Sequence, residues 1–327
     1  VNFMKHGQIN SAVIKPEVAE SWIRCQALGL DPTFPGKLPV LSEEEVRRKT
    51  EADSAILKIV YPYMESLYQI VKGSGFVINY VDADGYILKS IGDPETLEIC
   101  KKTNSIPGAS RLEASAGTSS IALAFIHKKP IMVAGAEHFI QEFHRWTCSA
   151  APVLSRSGRI VCVLSVAGRY EMIHQHTLGM ISSVAKAVEN EIYIQKMNER
   201  LIESNSQLQA TVEMVSEGVM YISNGEIKQL NRRMCDLIGY GSSQLLGRPV
   251  YEKIQTTPEL DQFISGSGDS YENEKITLHG GDQYHSCFID VQSVRGEFKQ
   301  EVGKIMIFKR VDDIKAMASK IKYQAKY

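Results

Sequence analysis

The sequence predicts an α+β chain in which two small antiparallel-sheet domains are joined by a long helix. Three observations carry this. Two hairpin signatures, Asp84-Gly85 and Asn224-Gly225, stand between runs of β-type residues and supply the positive φ that a tight hairpin needs. Between them, from near His174 to about Val215, apolar residues return first at helical and then at seven-residue spacing. Finally, 327 residues that are 43% hydrophobic suit two domains of ~150 residues each.

Residues 11–30 read as a short helix, with Glu17, Val18, Ser21, Trp22 and Cys25 alternating with polar residues until Gly29-Leu30-Asp31-Pro32 stops it. Pro35 and Pro39 then keep the chain extended. Ser42 followed by Glu45 is a capping box that opens the next helical stretch. A second helix is predicted over 53–72 from Ile56, Ile59, Val60, Met64, Leu67, Ile70 and Val71, with Pro62 expected to kink or break it. Strands 76–81 and 86–91 flank the Asp-Gly turn. Segments 94–101 and 117–127 look helical, and strands come next at 130–134 and 147–154. The segment 159–167 is the most apolar strand and is therefore expected at the sheet's centre.

The latter half of the long helix has a different pattern. Ile194, Leu201, Leu208 and Val215 recur every seven residues on an otherwise polar surface, interrupted at Ser204-Asn205. That seam predicts pairing with a second copy of the helix. After it, strands 218–223 and 226–230 flank the Asn-Gly turn, and Asn231 caps a helix to about Ile238. Gly247-Arg248-Pro249 and Thr257-Pro258 break the next segments. Three strands, 274–278, 284–294 and 303–310, close the domain, with Gly280-Gly281 between the first two. A helix from Asp312, still running at Tyr327, suggests a piece of a longer chain. The expected organisation is thus a helical segment 1–50, a first domain 51–190, a signalling helix 191–215, a second domain 216–311, and the start of an output helix at 312–327.

Composition excludes several classes. Lys plus Arg number 37 and Asp plus Glu 38, a net charge of −1, which argues against a surface that coats nucleic acid or anionic membrane. The longest apolar run, 160–167, is about half of the ~20 residues a spanning helix requires. The first residues, Val1 to Lys5, hold no apolar secretory core. Six cysteines, at 25, 100, 148, 162, 235 and 287, lie far apart with no C-x-x-C pair, which reads as reduced thiols in a cytoplasmic protein. No phosphate-cradling loop, zinc-protease helix or nucleophile elbow occurs. Ser183-x-x-Lys186 lacks its partner motifs and reads as chance. The expectation is a non-enzyme without a cofactor.

One segment concentrates binding chemistry. Glu137 to Ser149 carries Phe139, Phe143 and Trp146 as apolar walls and His138, Thr147 and Ser149 as hydrogen-bonding groups, the usual make-up of a ligand pocket. Asn79 and Thr118 complete the candidate ligand-binding set. The same segment also offers His138, Glu142, His144 and Cys148 to a metal or a redox signal, although their spacing matches no closed zinc pattern.

Motifs at separated positions also resemble a known family. Ser21-Trp22-x-Arg24-Cys25-x-x-x-Gly29-x-Asp31-Pro32 looks like the entry motif of acetoin-catabolism-type sigma-54-dependent activators. Gly117-Thr118-x-x-Ile121-x-Leu123-Ala124, Gly135-Ala136-Glu137-His138-Phe139 and Trp146-Thr147-Cys148-Ser149-Ala150-Ala151-Pro152 resemble their GAF domain. Thr118-Ser119-Ser120 stands where that family usually reads Thr-Asn-Ala. More weakly, Ile227-x-x-x-Asn231, Leu237-Ile238-Gly239-Tyr240 and Leu245-Leu246-Gly247 resemble a PAS domain. The cysteine of a flavin-photoadduct PAS domain, the histidine of a haem PAS domain and the Asn-Lys-Phe-Asp-Glu set of cyclic-nucleotide GAF domains are all absent from the sequence.

The resemblance implies a GAF domain, a signalling helix and a PAS domain acting as a sensor. An effector in the GAF domain would control an ATP-hydrolysing domain, acting on sigma-54 polymerase, and a DNA-binding domain, neither of which lies in these residues. The expected partners are a small-molecule effector and a second copy of the chain, joined through Ile194, Leu201, Leu208 and Val215; no membrane partner is expected. A redox or metal sensor, or the input region of a histidine kinase, are the alternatives.

Overall fold

The computed structural model describes residues 13–33, 39–172, 174–265, 270–280 and 283–324. The chain divides into two compact units at about residue 200. Pro35, Gly281, residues 1–12 and residues 325–327 lie outside the described residues, so the readings placed on them have no structural counterpart.

The first unit opens with helix α1 (Pro16–Ala27), which has proline at its first position, where the missing amide hydrogen costs nothing. Helix α2 (Glu43–Ala52) starts from Ser42, whose hydroxyl accepts from the Glu45 amide while the Glu45 carboxylate accepts from the Ser42 amide. Helix α3 (Ser54–Val71) runs unbroken through Pro62, against the predicted break. Pro62 lies on the exposed side, where the Lys58 carbonyl it orphans faces water. Meanwhile Val60, Met64, Leu67 and Val71 on the opposite side are buried and hold the helix together.

Strands β1 (Val77–Asp82) and β2 (Ile87–Gly92) form the expected hairpin. Helices α4 (Pro94–Lys102), α5 (Glu113–Ala116) and α6 (Ser120–His127) come next, and α6 begins three residues later than expected because the Ser119 hydroxyl caps it. Strands β3 (Ile131–Ala134), β4 (Trp146–Leu154) and β5 (Ile160–Arg169) complete an antiparallel sheet of order β2-β1-β5-β4-β3, with β5 in its centre.

The two faces of this sheet do different work. Ile78, Tyr80, Leu164 and Val166 pack beneath α3 and the first half of helix α7 (Gln175–Glu213) through Ile181, Ala185, Val188 and Ile192. On the other face Val77, Val81, Ile87, Trp146, Cys148 and Val163 share a core with Val18 and Trp22 of α1 and with Ile121 and Leu123 of α6.

The long helix ends at Glu213, so Val215 does not lie on it and cannot be the fourth member of the seam. In the second unit, strands β6 (Gly218–Ser223) and β7 (Glu226–Leu230) lead into helix α8 (Arg232–Ile238). Asn231 is fully buried there: its Oδ1 accepts from the Val219 and Met234 amides, and its Nδ2 donates to the Val212 and Glu217 carbonyls. Short helices α9 (Ser242–Leu245), α10 (Val250–Lys253) and α11 (Asp261–Ile264) surround β8 (Gln255–Thr257), a strand that the sequence reading missed. Three residues ending at a proline carry too little periodicity to announce a strand.

Strands β9 (Ser270–Gly280), β10 (Gln283–Arg295) and β11 (Glu301–Arg310) extend further than predicted and make a sheet of order β7-β6-β11-β10-β9-β8. Methionines 220, 234 and 306, with Phe308, Leu278 and Ile289, fill its core. Helix α12 (Val311–Gln324) closes the described chain.

Candidate functional site

The first unit holds a small cavity of about 30 Å³ on the face of the sheet away from α3 and α7. Strands supply most of the wall: Val77 and Asn79 from β1, Ile87 from β2, Trp146 and Cys148 from β4, and Ala167 from β5. The remainder comes from Cys100, Ser105, Arg111, His138 and Phe143. At that volume the cavity accommodates water and nothing larger. A metabolite larger than water enters only if side chains of the lining move.

Four of the eight predicted ligand residues, Asn79, His138, Phe143 and Trp146, meet at this cavity. The other four do not line it, for identifiable reasons. Thr147 and Ser149 alternate with Trp146 and Cys148 along β4 and therefore point to the opposite face. Phe139 is buried beneath α5 and α6, against Gly117, where an added Cβ would come within 3.1 Å of the Phe139 Cβ. Thr118 is committed to α1: its hydroxyl lies 2.7 Å from Ser21 Oγ and 3.6 Å from Cys25 Sγ.

That last contact explains the entry motif. Arg24 donates to both oxygens of Glu113, at 2.7 and 2.9 Å, and Ser21 Oγ donates to the same carboxylate. Trp22 Nε1 donates to the Glu137 carbonyl at 2.9 Å. Ser21, Trp22 and Arg24 thus dock the N-terminal helix onto the sheet domain and do not touch the cavity.

Arg111 was missed by the sequence reading. Its backbone is pinned between two segments, with the Arg111 amide donating to the Gly85 carbonyl and neighbouring Ser110 donating to Pro39. Gly108, three residues earlier, has φ +92°, and a Cβ there would meet Val46 at 2.8 Å, so this approach requires glycine. The Arg111 side chain is buried, with its guanidinium carbon 5.3 Å from the Phe143 ring centre and Nη1 3.3 Å from Ser105 Oγ. Glu113, the nearest acid in sequence, is occupied by Arg24.

Burial sets the charges. His138 is fully enclosed, and its Nδ1 donates to the Gly135 carbonyl at 3.1 Å, leaving Nε2 as a bare acceptor. Desolvation first, and the Arg111 charge after it, push its pKa down to about 3, so the imidazole is neutral at physiological pH. Burial pushes the Cys100 thiol up to about 11 and the Cys148 thiol up to about 12. Neither is a thiolate, which removes the reactive species that a redox sensor needs. Among the described residues no three His, Cys, Asp or Glu side chains are arranged to hold a metal, so His138, His144 and Cys148 do not form the centre that the metal reading required.

Residues 55–192 match the GAF domain family, and residues 206–274 match a PAS domain family. The chain is 29% identical over 312 residues to the signal-transduction and transcriptional-control protein of Clostridium beijerinckii, covering 95% of this chain and 49% of that one. It is 30% identical over 190 residues to the acetoin dehydrogenase operon transcriptional activator of Bacillus subtilis, covering 58% and 31% respectively. The crystal structure of the Escherichia coli DhaR(N)–DhaL complex superposes with a TM-score of 0.84 at 20% identity, over 91% of this chain and all of that one. The chain thus spans half or less of the length of these curated relatives. No helix among the described residues is long and apolar enough to cross a membrane.

Proposed function

We propose, from the premise that this chain is a GAF domain followed by a PAS domain similar to the sensory part of operon transcriptional regulators, that its GAF cavity binds a small-molecule effector and biases a dimer between two arrangements. The observation that carries the reading is the cavity itself. Apolar walls from Val77, Ile87, Phe143 and Trp146 surround two buried polar atoms, Arg111 Nε and His138 Nε2, that have no hydrogen-bond partner. Unpartnered buried polar atoms are costly, and a ligand that pairs them recovers that cost. The small volume fits a switch, because ligand entry must displace side chains and so prefers one arrangement over the other.

On this reading the chain is a cytoplasmic sensor and not an enzyme. Contacts to DNA and to sigma-54 polymerase belong to regions outside these residues, as does any ATP hydrolysis.

A thermal-shift screen of small metabolites tests the reading. A bound effector at 100 times its Kd should stabilise the chain by ~2.7 kcal/mol. Trp146→Leu should weaken that effector at least about tenfold, whereas Phe139→Leu, which removes core volume away from the cavity, should lower the melting temperature and leave affinity unchanged. Equal loss of affinity in both variants would assign Trp146 to the core alone. The DhaR(N) structure contains a second protein, DhaL, so a screen without metabolite hits, together with binding of a purified partner protein, would replace metabolite sensing by protein sensing.

A further inference from the structure

We infer that the effector is a small hydroxycarboxylate, its carboxylate held by Arg111 and its hydroxyl donated to His138 Nε2. The inference rests on the sensory reading above and deepens it to a ligand class. Its basis is a charge without a counter-charge. Arg111 is buried, its Nε has no partner, and among the described residues no carboxylate lies within ion-pair distance of it. The nearest acid in sequence, Glu113, is already bidentate with Arg24 and bonded to Ser21.

The thiols of Cys100 and Cys148 line the same cavity but are held protonated by burial, so they bring no negative charge. A guanidinium cannot shed its proton at physiological pH. What the cavity lacks is therefore an anion, and a planar carboxylate matches the guanidinium fork better than any neutral acceptor.

The second specification comes from His138. Its Nδ1 is spent on the Gly135 carbonyl, so Nε2 accepts and does not donate. A ligand therefore has to present one hydrogen-bond donor alongside its anion, which a hydroxyl does. Val77, Ile87, Phe143 and Trp146 allow only a short apolar remainder. Asn79 is less available, since its Oδ1 accepts from Ser90 and its Nδ2 donates to Ser165.

Calorimetry on the 327-residue chain tests this with glycolate, lactate, 2-hydroxybutyrate and 3-hydroxybutyrate against neutral probes of matching skeleton: ethylene glycol, 1,2-propanediol, 1,2-butanediol and 1,3-butanediol. The expected result is binding of at least one acid, at least about tenfold tighter than its neutral counterpart. Arg111→Gln should abolish that preference, Arg111→Lys should retain part of it, and methylating the ligand hydroxyl should weaken binding to the native chain but not to His138→Phe.

Ligand-free Arg111→Gln should melt no lower than the native chain, because it removes an uncompensated buried charge. A large fall in its melting temperature with acid binding unchanged would make Arg111 structural and overturn the inference. Neutral probes that bind as tightly as acids would overturn the carboxylate and leave metabolite sensing standing. Failure of both probe sets to bind would overturn the hydroxycarboxylate class and leave the cavity reading to the metabolite screen, whereas acids that bind without responding to Trp146→Leu would have their site elsewhere and overturn the inference.

Discussion

His138 shows how one buried side chain couples pH to stability. Its imidazole titrates near 6.5 when the chain is unfolded and only near 3 when folded, because burial disfavours the charged ring. Between those values the unfolded chain binds a proton that the folded chain refuses. The stability contributed by neutral His138 is complete above about pH 6.5 and is lost as pH falls towards 3, at up to ~1.4 kcal/mol per pH unit. Urea unfolding at pH 6.5 and pH 5 should therefore show the native chain losing about 2 kcal/mol more than His138→Gln does, since an amide keeps a donor for the Gly135 carbonyl without titrating. Equal losses would mean that His138 is accessible to protons in the folded state.

Helix α1 is held by a polar cluster in place of a broad apolar face. Val18, Trp22 and Cys25 are buried, yet the helix is amphipathic over only three turns and would be marginal alone. Its position is decided by Glu113, which collects Arg24 and Ser21 on one carboxylate. Arg24 is more than one-third exposed, so solvent weakens the pair. Glu113→Gln should nevertheless cost about 1–2 kcal/mol, because it leaves Ser21 and Arg24 competing for a weaker acceptor. The change should be local: limited proteolysis within residues 13–33 should quicken while cleavage elsewhere does not. Cleavage that quickens everywhere would place Glu113 in the global core.

At the scale of the whole molecule, α7 carries the proposal of a parallel dimer with the GAF domains at one end. Ile194, Leu201 and Leu208 are 51%, 57% and 62% exposed on that helix, seven residues apart. Apolar residues at this spacing with no cover in their own chain are suited to pairing with a second copy. Only three members remain, since Val215 lies beyond the helix end, and so short a seam dimerises weakly. Weak pairing suits a sensor, because an effector can shift a balance of a few kcal/mol. Leu201→Glu combined with Leu208→Glu should halve the mass measured by light scattering, or weaken dimerisation by at least about tenfold. An unchanged mass and dissociation constant would move the interface elsewhere.

Much of this was readable without coordinates, for physical reasons. Strand alternation, the Asp-Gly and Asn-Gly turns, the Ser42 capping box and the Asn231 cap are local, and local rules determined both sheets, the central place of β5 and the long connecting helix. Three of the four predicted cavity residues, His138, Phe143 and Trp146, were legible because aromatics and a histidine crowd one short segment; Asn79 comes from β1. Thr147 and Ser149 could have been set aside from sequence, since period two places them opposite Trp146 and Cys148.

Arg111 could not have been found that way. Whether an arginine is paired depends on which helix reaches the nearby glutamate, and here α1, about ninety residues earlier, takes Glu113. Likewise only packing decided that α3 continues through Pro62, and only the helix end at Glu213 decided that the seam has three members. The sequence by itself determined which elements form and how they alternate. Tertiary structure decided which charges lost their partners, because desolvation and pairing are set by neighbours that chain order does not name.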